Sequence, residues 1–146
     1  GEALFGLSLL EKKILDMGCG TGVLAILAKK LGAKEIVAID IDEWSYENTL
    51  ENIELNKIQG IQVKIGDRDL LKGEYFDIIL ANINRNVLLN DMEIYSGCLN
   101  TGGIILFSGF FESDIPEMEK KAVSVGLKFI SSKIRNDWAC IQYRHE

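Results

Sequence analysis

The chain has 146 residues, 47% of them hydrophobic and 26% charged, and a formal net charge of −6. That is enough for one domain with a substantial core, and its sign disfavours general attraction to nucleic-acid phosphate while suiting a basic macromolecular partner. No apolar run approaches the ~20 residues of a membrane helix, no basic region precedes an apolar one as in a secretory leader, and Cys19, Cys98 and Cys140 are too few and too scattered for a disulfide framework or metal pattern, which suggests free buried thiols in a reducing cytoplasm.

Two periodicities alternate along the chain. Residues 1–12 read as a residual linker segment, and 13–146 as the domain. Lys13 to Met17 is a buried strand, and Thr21 to Leu31 a helix with Leu24, Leu27, Ala28 and Leu31 inward, stopped by Gly32. Glu35 to Asp40 is a second strand. Asp42 caps the next helix, whose stripe is Tyr46, Leu50 and Ile53. Ile61 to Ile65 and Phe76 to Ala81 are strands. Asn84 to Cys98 is helical, with Val87, Leu88, Met92, Tyr95 and Leu99 inward. Asn100 to Gly103 is a turn and Ile104 to Ser108 a central strand. Ser113 or Asp114 starts a helix with Pro116 in its first turn and Ile115, Met118, Ala122 and Val125 inward, ended by Gly126. Leu127 to Ile134 and Trp138 to Tyr143 form a hairpin around Arg135-Asn136-Asp137. Such alternation predicts a doubly wound α/β domain with a mostly parallel sheet and a C-terminal antiparallel hairpin. Ligands of such sheets sit at the carboxyl ends of the strands, so Gly18, Asp40, Asp67, Asn82 and Ser108 are expected on one rim.

The junction of the first strand and helix reads LDMGCGTGVLAI. Glycine weakens both elements, so three at alternate positions imply a turn that brings backbone N–H groups close to something at a helix N-terminus. The dinucleotide fingerprint G-x-G-x-x-G needs a glycine at position 23, which is Val23. The pattern is instead D-x-G-x-G-x-G, from Asp16 through Gly18 and Gly20 to Gly22. A carboxylate at its start suits an ammonium or sulfonium and repels a diphosphate. Asp40, about 20 residues on, fits a ribose diol, leaving the helix cap to Asp42. Ile41 offers an apolar face to a base or belongs to the core. Asp67 accepts from an exocyclic amine or is a solvated turn residue, with Asp69 as its neighbouring substitute.

LDMGCGTG, AIDID and LANIN resemble the class I S-adenosylmethionine-dependent methyltransferases. CGTGVLAILAKKLGA, IDID, the EN-x-x-LN helix end and LANI look most like the ribosomal protein L11 methyltransferase family, over roughly Ile14 to Tyr143. The resemblance implies a seven-stranded Rossmann-like methyltransferase fold and S-adenosyl-L-methionine as cofactor. It implies cofactor contacts at Gly18, Asp40 and Asn82, with Gly20 and Asp67 added. It implies methylation of amines of a protein, a ribosomal protein; the thiols, net charge and short apolar runs add the expectation of a cytoplasmic protein without direct nucleic-acid or membrane partners. Where related amide methyltransferases show N-P-P-Y, this chain has N-I-N-R from Asn82, which argues against a glutamine or adenine substrate. Asn82 is then left to orient an amine, and Asn84 to cap the helix. An activated sulfonium methyl needs chiefly alignment, and desolvation can deliver a neutral amine, so no catalytic acid or base and no metal is assigned. The lone histidine, His145, lies at the C-terminal end. Trp44 and Trp138 read as packing or surface residues. Phe110 and Phe111 line a substrate channel or belong to the core. Relatives carry a recognition domain and a threonine-bearing cofactor segment ahead of the first strand. Gly1 to Gly6 hint at that segment without its threonines, which suggests a catalytic domain alone, an RNA or small-molecule methyltransferase, or a binding module.

Overall fold

The computed structural model describes Ala3, Leu4 and residues 6–146, so Gly1, Glu2 and Phe5 of the suggested cofactor segment lie outside the described residues. Contacts divide the chain into two compact units, 1–70 and 71–146. In the first unit, β1 (Ala3–Leu4) and β2 (Leu7–Ser8) pair as an antiparallel ribbon where the sequence suggested a linker. There follow β3 (Lys13–Met17), α1 (Val23–Lys30), β4 (Glu35–Asp40), α2 (Glu43–Leu55) and β5 (Ile61–Ile65). The second unit holds β6 (Phe76–Asn82), α3 (Arg85–Gly97), β7 (Leu99–Phe111), α4 (Ile115–Ser124), β8 (Leu127–Arg135) and β9 (Trp138–His145). Apart from the β1–β2 ribbon, seven strands build the sheet: in the first unit β5-β4-β3, parallel throughout, and in the second β6-β7-β9-β8, parallel between β6 and β7 and antiparallel at β9 and β8.

β3 and β4 are apolar almost throughout, as parallel strands covered on both faces must be, and Ile14, Leu15, Ile36 and Ile39 are fully buried. Their register puts Met17 beside Ile39, and that of the next pair puts Asp40 beside Ile65. The carboxyl ends of these three strands are therefore level. In the second unit Leu88, Met92 and Tyr95 of α3 and Met118 and Ala122 of α4 are buried, as their spacing predicts. The closing hairpin turns on Asn136 and Asp137, both at positive φ (51° and 68°), a conformation that Asn and Asp tolerate.

The structure corrects three details. α1 buries Ala25, Ile26 and Ala28 while Leu27 is exposed, because small residues let the helix lie close against the sheet. α2 buries Ser45 and Thr49 and leaves Leu50 exposed, because its inner face meets polar backbone. The turn expected at 100–103 is an irregularity inside β7, with Gly102 at φ 82°, and Leu99 belongs to that strand.

Candidate functional site

The glycine turn leaves the carboxyl end of β3 with Gly18, Gly20 and Gly22 at φ 78°, 58° and 82°. Every second residue is left-handed, which is why the glycines alternate. The winding also turns the amides inward. Gly18 and Cys19 donate to the Ile39 carbonyl (2.8 and 3.1 Å), and Gly22 donates to that of Cys19 (2.9 Å). The Gly20 N–H donates to Asp40 Oδ2 at 2.9 Å. The expectation of several bare amides is thus corrected: four are committed within the protein. What stands at the turn instead are two acids, Asp16 buried ahead of it and Asp40 bound to its Gly20 amide.

Asp16 lies in β3 directly ahead of the turn and is 1% exposed. Its Oδ2 has no hydrogen-bond partner. Burial, then the neighbouring charge of Asp40, push its carboxyl from 3.8 up to about 7, against the lowering effect of the Ala25 N–H. The native state therefore keeps a proton that the unfolded chain releases near pH 4. The stability this contributes is complete below about pH 4 and is lost as pH rises through about 7. Asp16→Asn keeps the shape and removes the ionisation. It is expected to flatten the pH dependence of urea unfolding between about pH 4 and 8. An undiminished slope in the variant would exclude Asp16 as the source.

Asp40 holds the rim together. Besides the Gly20 amide it accepts the N–H of Asp42 through Oδ1 at 3.0 Å. Asp42 is the helix cap, accepting from the Ser45 N–H at 2.9 Å. Ile41 is 75% exposed, so it is not core and offers its apolar surface beside Asp40. Gly66 donates to the Asp40 carbonyl (3.0 Å), and Asp67 follows, exposed, its Oδ1 accepting the Asp69 N–H at 2.9 Å. Asp16, Gly18, Gly20, Asp40, Ile41 and Asp67 thus gather around the level ends of β3, β4 and β5.

Sequence reasoning missed the support behind the turn. Thr49, fully buried on α2, donates to the Gly20 carbonyl at 3.0 Å, and Asn52 donates to that of Thr21 at 2.8 Å. Ser45, Thr49 and Asn52 recur at helical spacing, so a polar stripe facing inward was the available signal. Cys19 lies 3.5 Å from the Thr49 hydroxyl, and burial pushes its thiol up to about 11, so it is no nucleophile.

Asn82 belongs to the second unit, at the end of β6 and exposed, beside Ser108 of β7. A Cβ on Gly109 would lie 2.7 Å from Asn82 Oδ1 and 2.9 Å from the Ile83 carbonyl, so only glycine lets β7 pass so close. Gly109 is a second residue that sequence reasoning missed. Asn84 caps α3, accepting the Val87 N–H at 3.1 Å. Phe110 is core and Phe111 is not. Among the described residues no group of three or more His, Cys, Asp or Glu is placed to hold a metal, and no helix is long and apolar enough to cross a membrane.

A family model described as ribosomal protein L11 methyltransferase (PrmA) matches residues 2–146. The chain belongs to the ribosomal protein L11 methyltransferase family. A relative of that name from Porphyromonas gingivalis is 50% identical over 141 residues, which is 96% of this chain and 49% of that protein. The chain spans about half the length of the curated relatives it matches. The crystal structure of a ribosomal protein L11 methylase from Lactobacillus delbrueckii subsp. bulgaricus superposes with a TM-score of 0.86 at 31% identity, covering 92% of this chain and 70% of that one. A methyltransferase complexed with SAH shares the fold, with a TM-score of 0.76 at 16% identity over 94% of this chain and 46% of that one.

Proposed function

We propose that this chain binds S-adenosyl-L-methionine at the rim of β3, β4 and β5 and transfers its methyl group to amines of a protein, ribosomal protein L11, in the cytoplasm. The observation that carries this reading is the unpartnered, buried Oδ2 of Asp16 behind a turn whose amides are already engaged. Such a site suits a cation and offers a diphosphate little. The residues present therefore fit the cofactor. Asp16 would face its positively charged amino-acid portion, Asp40 its ribose, Ile41 its base and Asp67 the exocyclic amine of that base. When bound, the cofactor supplies a methyl group already activated by its sulfonium.

The protein's own part is alignment. Asp40 fixes the turn through the Gly20 N–H, and Thr49 donates to the Gly20 carbonyl from behind. Asn82 is assigned a cofactor contact and the orienting of an amine on the resemblance of LANIN. Gly109, lacking a Cβ, leaves room for the Asn82 Oδ1 beside β7. Desolvation delivers the amine neutral, and no side chain is assigned as general base.

Methyl transfer from tritiated S-adenosylmethionine, offered ribosomal protein L11, ribosomal RNA and small amines in parallel, tests the proposal. Label in the protein, suppressed when a competing excess of S-adenosylhomocysteine is present from the start, is expected. Label confined to RNA or small amines would overturn the substrate, and cofactor binding without any transfer would make the chain a binding module.

A further inference from the structure

The second unit carries an aromatic pair that the proposed chemistry leaves unused. Phe111 closes β7 and Trp138 opens β9, and the two are register partners. Their rings stack at 4.3 Å between centroids with 29° between planes. Yet they are 48% and 51% exposed, whereas Phe110 beside them is buried. The pair is held in place. The Glu112 N–H donates to the Asp137 carbonyl at 2.7 Å, and the Phe111 N–H donates to Asp114 Oδ2 at 3.0 Å.

Two clefts flank the pair. One, of about 510 Å³, is lined by Arg85, Gly109, Phe111, Asp114 and Trp138 among others. The other, of about 440 Å³, is lined by Phe111, Glu112, Ser113 and Asp137. Among the described residues Arg85 is the only cation lining either cleft, and it is engaged by Asp114 at 3.4 Å and Glu117 at 3.5 Å. Glu112 and Asp137 are exposed and have no ion-pair partner among the described residues. Open ring faces rimmed by unopposed carboxylates attract a guanidinium or ammonium.

We propose that Phe111 and Trp138, with Glu112 and Asp137, dock an arginine or lysine side chain of the polypeptide substrate other than the amine that is methylated. The inference rests on the proposed function for the identity of that polypeptide. The separation from the reacting amine follows from charge. Ring faces and carboxylates hold an amine in its protonated form, whereas a nucleophilic amine must be neutral. Exposed aromatics also stack nucleic-acid bases, but the same carboxylates repel the phosphates that accompany them.

Trp138 fluorescence in a Trp44→Phe background reports binding directly, without cofactor. The ligands are a short Lys/Arg-rich peptide without aromatic residues, an acidic peptide of equal length and a single-stranded RNA. Quenching by the basic peptide alone, weakening as salt rises, is expected. Phe111→Ala is expected to weaken it roughly three- to tenfold. Glu112→Gln with Asp137→Asn alters two exposed side chains only, so it keeps the test intact if the aromatic variant fails to fold. It is expected to weaken binding about threefold and to flatten the salt dependence. Equal quenching by the acidic peptide or by RNA, or no change in the double variant, would overturn the inference. Failure of S-adenosylhomocysteine to bind would instead end the proposed function and leave this measurement standing.

Discussion

Gly22→Ala is expected to destabilise the protein by about 2–5 kcal/mol, the sum of a left-handed alanine and an overpacked contact. Gly22 sits at φ 82° as the cap of α1, and an added Cβ would lie 2.7 Å from Thr49 Cγ2. Thr49 is β-branched, fully buried and anchored by its hydroxyl to the Gly20 carbonyl, so it cannot swing aside. The thermal midpoint is expected to fall by roughly 5–15 °C. Two companions make the cause legible. Gly20→Ala, at φ 58° with nothing within 4 Å of its Cβ, has the backbone cost alone, about 1–2 kcal/mol. Thr49→Ser keeps the hydroxyl, removes the methyl and is expected to recover part of the loss in the Gly22→Ala background. Equal losses at both glycines and no recovery with serine would show that the close approach of α2 to the turn contributes nothing.

Asp40→Ala is expected to weaken binding of S-adenosylhomocysteine by about 1.5–3 kcal/mol, roughly 10- to 150-fold, the range for hydrogen bonds to a charged group. The structure adds a second reason to the ribose contact proposed for this residue. Asp40 already accepts the amides of Gly20 and Asp42, so its removal strands both and loosens the turn. Asp40→Asn separates the two contributions. Its amide oxygen still accepts one of those N–H groups, while the charge that strengthens a ribose bond is gone. Calorimetric titration of both variants, with unfolding followed alongside, is expected to rank affinity as Asp, then Asn, then Ala. Unchanged affinity in the alanine variant would remove Asp40 from the site.

The parallel strands of the first unit were legible because each is a short apolar run ended by turn chemistry, whereas β7 runs on through the glycines read as a turn. Glu35–Asp40 and Ile61–Ile65 appear with the boundaries that their hydrophobic pattern gives. The helix faces around the turn were less so. Apolar periodicity placed Leu27 and Leu50 inward, but both are exposed. α1 uses alanines to approach the sheet, and α2 uses Thr49 and Asn52 to satisfy loop carbonyls, a need that exists only after the chain has folded. Likewise the glycines announced a turn, but not the direction of its amides, because that depends on the Ile39 carbonyl and Asp40 carboxylate from another strand. Asp16 stood out as an acid in an apolar strand. Its unpartnered oxygen needed the packing around it.

The most direct test is a calorimetric titration of the unaltered chain at neutral pH with S-adenosylhomocysteine and, in parallel, with NAD. The account predicts saturable binding of the nucleoside thioether and none of the dinucleotide. NAD binding as tightly, or neither ligand binding, would contradict it.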